Sequence, residues 1–569
     1  MKNLVIASIL NNIADILELQ EVQFKPQAYR KAAQAIESLS EDIEDIYKRG
    51  ELEEISGVGK HIAEKITEFI ETGKLKYYDK LKKEVKIDIE ELNKIPGLGS
   101  KKIKILYNKL KIKNLKDLEA AIKRQKLREL SGFSEKTEQS LLEGINIVKS
   151  RPHRFLYSQV IPLVKEIKET FERLNFVKAI EVAGSFRRRK ETIGDLDFLV
   201  VSKEPGKVRD VFTSLPDIKQ VLAKGLTKSS IRLNNNLQVD LRVVKEKEFG
   251  SALLYFIGNK QHNVELRKFA LKKGYTLSEY GLFKLKDNQW VAGRTEEEVY
   301  KKLGLQYIPP EIRGNQGEIQ AAQNNKIPKL IDFTDVKGIF HNHTKWSDGN
   351  NSIPEVVKKA EEMKLKFISF NDHFSSIGIT NPLNEARLKK YLQELEKVRK
   401  KSSLRVFSGV EIDILKDGTL PLEPKKLKEL DVVIAAVHTS TKMSPKEMTA
   451  RVCKALKNYP INILAHPTDR LIGEREPLKM NLEKVFETAK ENDVFLEINS
   501  SPKRMDLSGE NVRSALNSGC KFAISTDAHN LSQMDAYPLG VNLARRGWVE
   551  SKKVLNCWSM QKVENALKK

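Results

Sequence analysis

The 569-residue chain is poor in several things, and each shortage removes a class of protein. It has three cysteines, Cys453, Cys520 and Cys557, which lie far apart and form no Cys-x-x-Cys pair. A disulfide framework and a thiolate zinc site are therefore poor readings, and a reducing, cytoplasmic setting fits. No apolar run approaches the ~18 residues of a membrane span. The start, Leu4 to Leu10, imitates a short signal segment, but Asn11, Asn12 and Asp15 follow it. The apolar spacing continues through Ile13, Ile16 and Leu17 with no small-residue cleavage pattern, which predicts an amphipathic helix. Aromatic residues are only 7% of the chain. With 40% hydrophobic and 31% charged residues the chain still has ample material for cores, so a disordered tail is ruled out. Its length predicts three or four domains at ~100–200 residues each.

The formal net charge is +23, unevenly spread. Residues 1–100 carry 15 basic against 19 acidic side chains, residues 101–300 carry 41 against 25, and residues 301–569 carry 44 against 33. A basic middle implies a polyanionic partner, most often nucleic acid. Six of the nine histidines fall after residue 340: His341, His343, His373, His438, His466 and His529.

Residues 1–150 read as helical throughout, as in Ile62, Ile66, Phe69 and Ile70 on one stripe. Strands are expected near Ala179–Val182, Asp195–Val201 and Leu237–Val244. From Gln306 to about Lys337 the chain is rich in Pro, Gly, Asn and Gln, a linker composition. Seven apolar runs then alternate with amphipathic stretches: Gly338–Phe340, Phe367–Phe370, Arg405–Val410, Val432–Val437, Ile461–Ala465, Val494–Ile498 and Lys521–Ser525. Such alternation predicts a mainly parallel sheet, with a closed barrel as its natural form and sites at the strand ends.

Three motifs carry chemistry. Ile55-Ser56-Gly57-Val58-Gly59-Lys60 and Ile95-Pro96-Gly97-Leu98-Gly99-Ser100 each precede a helix. Gly57, Gly59, Gly97 and Gly99 allow tight turns close to a phosphate, and the following helix offers free N–H groups, a pattern that suits binding nucleic-acid backbone without reading sequence. Lys60 adds charge. Ser131-Gly132-Phe133-Ser134 looks like a third copy in which Ser134 replaces the second glycine. Lys65 lies at the edge of the apolar stripe, where Lys60 and Lys25 would favour its neutral, nucleophilic form.

The second motif is Gly184-Ser185, nine residues, then Asp195-Leu196-Asp197, preceded by Gly194. On a strand Asp195 and Asp197 share a face. Asp240, in Gln238-Val239-Asp240-Leu241-Arg242, is the third carboxylate. Three carboxylates suit two Mg²⁺ ions that would activate a 3′-hydroxyl and neutralise a leaving pyrophosphate. Gly184, Ser185 and Arg188 suit phosphate oxygens.

Residues 1 to about 320 resemble a family X DNA polymerase on these motifs. The resemblance implies that Tyr255, Phe256 and Gly258 face the nucleotide sugar, with Ile257 where the family usually has Thr. It implies that Asn263 and Arg267 contact the nascent pair or template, that Glu279 and Tyr280 belong to the same subdomain, and that Tyr29, Arg30, Lys31 and Lys65 match a lyase-type domain whose lysine forms a Schiff base with a 5′-deoxyribose phosphate.

The third motif gathers His341, His343, Asp348, Asp372-His373, Glu411, His438, His466, Asp527 and His529, mostly at the ends of the seven runs. Mixed imidazole and carboxylate ligands suit Zn²⁺, Mn²⁺ or Fe²⁺, and their number implies more than one ion. This half resembles a PHP (polymerase and histidinol phosphatase) domain. The resemblance implies up to three ions, Mn²⁺ or Zn²⁺: one held by His341, His343, Glu411 and Asp527, a second by Glu411, His438 and His466, and a third by Asp348, His373 and His529. It also implies an active 3′→5′ nuclease.

The chain is thus expected to be multidomain. Its parts are a lyase-type helix-hairpin-helix domain (1–80), a second helix-hairpin-helix domain (81–150), an α/β nucleotidyltransferase palm (151–245), a C-terminal polymerase subdomain (246–310), a linker (311–336) and a distorted (β/α)7 PHP barrel (337–569). The expected partners are gapped or primer–template DNA and deoxynucleoside triphosphates, with no membrane, for a cytoplasmic monomer. One rival is a template-independent nucleotidyltransferase fused to a small-molecule phosphoesterase, which the paired hairpins and the minor-groove residues argue against; the other is a non-catalytic DNA-binding scaffold with structural metals, which the complete ligand sets argue against.

Overall fold

A computed structural model describes residues 2–568 except 21, 39–42, 56, 86, 93–94, 96–97, 99, 131, 136, 140, 143–144, 146–153, 376–380 and 474. It divides into two compact units, Met1–Arg154 and Phe155–Lys569. Among the described residues no helix is long and apolar enough to cross a membrane.

The first unit is helical, as the periodicity predicts. The signal-like start is the helix Lys2–Leu19, with Ile13, Ile16 and Leu17 buried. In the first hairpin Gly57 takes φ +84°, and a Cβ there would stand 2.9 Å from Lys31 Cγ. Gly59 caps the helix Lys60–Thr72, which ends on Gly73 in the left-handed region. A Cβ on Gly59 would meet nothing within 4 Å, so this helix start lies open. Gly97 and Gly99 lie outside the described residues, although the helix Ser100–Leu110 follows them as expected.

After the short strand Phe155–Leu156 and the helix Tyr157–Glu172, the second unit builds a five-stranded sheet. In spatial order its strands are Val177–Val182, Asp195–Ser202, Gln238–Val244, Lys228–Leu233 and Ile218–Lys224. The strand Asp195–Ser202 runs parallel to Gln238–Val244 and antiparallel to Val177–Val182. Helices Phe249–Ile257 and Lys260–Lys272, a three-stranded sheet and the helix Glu296–Leu303 follow.

The seven apolar runs form a closed barrel of parallel strands: Gly338–Asn342, Phe367–Phe374, Arg405–Asp413, Val432–Ala436, Ile463–Leu464, Phe495–Asn499 and Phe522–Ala528. Their interior is lined by Phe340, Phe367, Phe407, Ile434 and Ile463, all buried.

The linker-like stretch differs from its composition. Ile308, Ile312 and Ile331 are buried, and Arg313 is sealed between Glu296 and the Ile308 carbonyl. Glu318 lies 2.6 Å from His262 Nδ1 in the interior. Its prolines and glycines set turns, while the isoleucines and ion pairs dock it. A single apolar cluster extends from Phe198 and Leu241 in the sheet to Ile339 and Leu543 in the barrel half.

Candidate functional site

Parallel register sets Asp197 beside Asp240 and Asp195 beside Gln238. Burial and the charges of Asp195 and Asp240 push the Asp197 carboxyl up to about 7. Burial also opposes the charge on Asp240, but hydrogen bonds from Gln238, Lys228 and Ser230 hold its carboxyl below the usual range. Lys228 Nζ stands 3.0 Å from Asp240 Oδ2 and Gln238 Nε2 donates to Oδ1 at 3.0 Å. Asp195 and Asp197 lie along one strand with Asp240 across from Asp197, and the three are spread more widely than the barrel groups, whose ligand atoms lie within 4.8 Å of one another among the described residues. Like charges crowded on one face call for a cation, so the row fits divalent ions.

Gly184 follows the first strand with φ +62°, and a Cβ there would stand 2.7 Å from Asp197 Oδ2. Ser185 Oγ and Arg188 Nε are buried with no hydrogen-bond partner among the described residues. Buried polar atoms normally find partners, so these two suit an incoming phosphate. Burial and the charge of Arg546 lower the Arg188 guanidinium to about 10. Gly258 leaves room for it, since a Cβ there would stand 3.1 Å from Arg188 Nη1.

Around this corner Tyr255 is 40% exposed, and Phe256 lies under the Arg242 guanidinium at 4.3 Å. Asn263 Nδ2 donates to the Tyr255 carbonyl at 2.7 Å, and Arg267 Nε to the Asn263 carbonyl at 3.3 Å. Tyr280 is exposed. Gly194 sits at the exposed entry to the acid-bearing strand.

In the helical unit, Lys65 Nζ donates to the His61 carbonyl at 3.0 Å and stands 4.8 Å over the Tyr77 ring. Burial lowers its pKa, the charge of Glu64 opposes this, and Lys25 reinforces it. Arg30 is tied to Asp15 at 2.7 Å and Glu18 at 2.5 Å.

The barrel brings all nine expected ligands to one end. His341 and His343 come from the first strand end, His373 from the second, Glu411 from the third, His438 and His466 follow the fourth and fifth, and Asp527 and His529 close the seventh. His341, His466 and Asp527 have φ of +61°, +23° and +50°, a strained backbone of the kind found where side chains are aimed at a site. Ligand atoms gather as His341, His343 and Asp527; as His373, Glu411 and His438; and as His343, Asp348, His373 and His529. This differs from the three expected sets in detail. His343 and His373 each stand in two groups, and His466 meets Glu411 singly at 3.0 Å.

His341 Nε2, both ring nitrogens of His343, Glu411 Oε2 and His466 Nδ1 are buried without a hydrogen-bond partner among the described residues. Nitrogen-to-oxygen gaps of 3.3 Å (His341 to Glu411), 3.4 Å (His343 to Asp527) and 3.3 Å (His529 to Asp348) are too long or misaligned for strong hydrogen bonds. They match ligands around a shared cation with bonds of ~2.0–2.2 Å. Burial and the neighbouring His529 and His373 push His343 down to about 3, which keeps it neutral, the form that can bind a metal ion. Burial acts against the charged forms of His529 and His438, yet adjacent carboxylates raise them to about 9 and about 10.

Several residues here escaped the sequence reading. Asp413 Oδ1 lies 2.6 Å from His438 Nδ1, and Glu497 Oε1 lies 2.6 Å from His341 Nδ1. Such outer carboxylates orient a ligating imidazole. Their signals were present: Asp413 lies two residues after Glu411 on one strand face, and Glu497 is an acid inside the run Phe495-Leu496-Glu497-Ile498. Arg504 Nε stands 3.3 Å from Asp527 Oδ2. Asp372, read as a candidate ligand, takes another part: Thr344 and Ser347 donate to both its oxygens at 2.7–3.1 Å, which shapes the loop between His343 and Asp348.

Comparison with known proteins agrees with this layout. The chain is 35% identical over 568 residues to DNA polymerase/3'-5' exonuclease PolX of Bacillus subtilis (strain 168), covering 99% of each. It belongs to the family X DNA polymerases with a C-terminal PHP domain. Family models match as a helix-hairpin-helix domain (residues 1–75), a SAM-like helix-hairpin-helix tandem (89–146), a DNA polymerase beta thumb (252–314) and a PHP domain (340–501). DNA polymerase lambda of Rattus norvegicus is 26% identical over 341 residues, 55% of this chain and 56% of its own. A protein named "Probable phosphatase" from Thermoanaerobacter sp. (strain X514) is 28% identical over 229 residues, 38% of this chain and 88% of its own. For this family X chain the expected helix-hairpin-helix and PHP architecture is therefore borne out, and both halves imply a dependence on divalent metal ions.

Proposed function

We propose that this chain is a DNA-directed DNA polymerase that fills short gaps in base-excision repair and trims DNA 3′ ends with its barrel. The observation that carries the reading is the presence of two separate centres with unsatisfied buried donors. One is the acid row with Ser185 and Arg188; the other is the imidazole cup. Asp195, Asp197 and Asp240 would hold two Mg²⁺, and the nine barrel ligands up to three Mn²⁺ or Zn²⁺. Bound there, these ions would supply Lewis-acid stabilisation of phosphoryl oxygens and activation of the attacking hydroxyl or water.

The chain's own groups do the rest. Ser185 and Arg188 grip the triphosphate, while Gly184 and Gly258 leave room for the Asp197 carboxylate and the Arg188 guanidinium. Tyr255 and Phe256 border the sugar, while Asn263 and Arg267 reach the nascent pair. Gly57, Gly59, Lys60, Gly97 and Gly99 hold DNA backbone in parts 1–80 and 81–150. Lys65, its amine made less basic by burial, is the candidate Schiff-base nucleophile. The protein works as a cytoplasmic monomer on gapped or primer–template DNA. The test is a gapped, end-labelled duplex with Mg²⁺ or Mn²⁺. Template-directed extension with nucleotides and shortening of the 3′ end without them are expected; untemplated addition would favour the rival transferase.

A further inference from the structure

The stretch after Ser185 is anchored one residue at a time. Arg187 Nη2 donates to Glu296 Oε2 at 2.8 Å. Arg189 donates from Nη1 to Asn542 Oδ1 at 2.6 Å and pairs through Nε with Glu311 at 3.0 Å. Lys190 Nζ pairs with Glu510 at 2.8 Å. Glu191 pairs with Arg546 Nη1 and, at 3.6 Å, with Arg470 Nη2, and accepts the Gly509 backbone N–H at 3.3 Å. Among the described residues Arg188 is the member of this run without a carboxylate within ion-pair distance; its guanidinium stands against Gly258.

Five of these partners, Arg470, Gly509, Glu510, Asn542 and Arg546, belong to the barrel half. The helix Tyr537–Arg546 presents Asn542 and Arg546 four residues apart, on one face. Both are almost fully buried, at 4% and 6% exposure. Arg546 also pairs with Glu510 at 2.8 Å, so it sits between two carboxylates. A Cβ on Gly509 would stand 2.8 Å from Arg546 Cβ, so only glycine there leaves the arginine its place. A buried charge pair holds its geometry because a displaced partner leaves the other uncompensated. Glu191 is three residues from Arg188 and four from Asp195, so its anchor fixes the backbone between the phosphate-facing and acid-bearing groups. Misplacement by ~1 Å of groups that orient substrate costs up to ~10²-fold.

We propose that Arg546 of the barrel, acting through Glu191, is a positioning residue for nucleotidyl transfer: it holds the Ser185–Arg188 segment in register with the palm acids. The inference rests on the polymerase reading above.

The test uses the full-length protein and a gapped duplex, with deoxynucleotide concentration varied for wild type, R546A, R546K and E191Q. Nuclease activity on single-stranded DNA is measured alongside. In R546A and E191Q the KM for nucleotide is expected to rise about five- to twentyfold, with kcat changed less than about threefold and nuclease activity kept within about twofold. R546K should fall between wild type and R546A. E191Q, nearly isosteric, decides by the same KM criterion if R546A does not fold. A nucleotide KM within about twofold of wild type in E191Q and in folded R546A overturns the positioning role, as does an equal fall of both activities. A wild type that extends no primer overturns the polymerase reading itself, and the inference with it.

Discussion

Asp413 and Glu497 each hold an imidazole of the barrel cup, His438 and His341, by its Nδ1 at 2.6 Å. Removing the charge while keeping the shape should loosen the ring without emptying the space. Glu497→Gln and Asp413→Asn are therefore expected to weaken divalent-metal binding to the barrel by about 10–100-fold. Metal retained after dialysis, measured by elemental analysis, checks this; unchanged retention would show that the rings are fixed by packing alone. Lys65 is a different case, since its role depends on a reactive amine. Borohydride trapping of a 5′-deoxyribose phosphate end should give a covalent adduct that is lost in Lys65→Ala, and an undiminished adduct would move the chemistry elsewhere. At this scale the sequence displayed the histidines and acids that the barrel gathers, because His-x-His and Asp-x-Asp are local spacings. It hid Asp413, Glu497 and Arg504, whose meaning depends on which strands become neighbours.

The barrel strands carry the argument at the scale of elements. Seven apolar runs gave seven strands, because continuous burial on both sides of a parallel sheet leaves a continuous apolar signature. The strands at Phe367–Phe374 and Arg405–Asp413 extend further than their apolar cores, since the ligand-bearing residues stay in the sheet. The stretch 311–336 has a linker's composition but a docked structure: Pro, Gly and Asn shape its turns, while Ile312, Arg313 and Ile331 are buried. Close packing between barrel strands gives a direct prediction. A Cβ on Gly409 would stand 2.2 Å from the Val432 carbonyl oxygen, a neighbouring strand's backbone that cannot swing aside. Gly409→Ala should lower stability by about 1–3 kcal/mol or more, read from a melting curve. Unchanged melting would mean that the two strands stand further apart.

At the scale of the whole molecule, sheet and barrel share a continuous apolar cluster. A chain cut after residue 336 should therefore expose Ile331, lose the barrel partners of Glu191 and Lys190, and leave Arg189 with Glu311 but without Asn542. It is expected to melt lower and to extend primers poorly, even with every palm residue intact; wild-type extension by such a fragment would show that the barrel is dispensable. The basic middle of the chain makes a second global prediction. Binding to gapped DNA should weaken by at least about tenfold between 50 and 200 mM salt as counterion release loses its force, measured by fluorescence anisotropy. A flat response would exclude backbone phosphates as the main contact.

The central claim is that one chain holds a building centre and a cutting centre that are chemically independent. A gapped, end-labelled duplex given to Asp197→Ala and His341→Ala, each with Mn²⁺ and nucleotides, tests it most directly. Asp197→Ala should shorten the label without extending it, and His341→Ala should extend it without shortening. Loss of both activities in either folded variant would contradict the account.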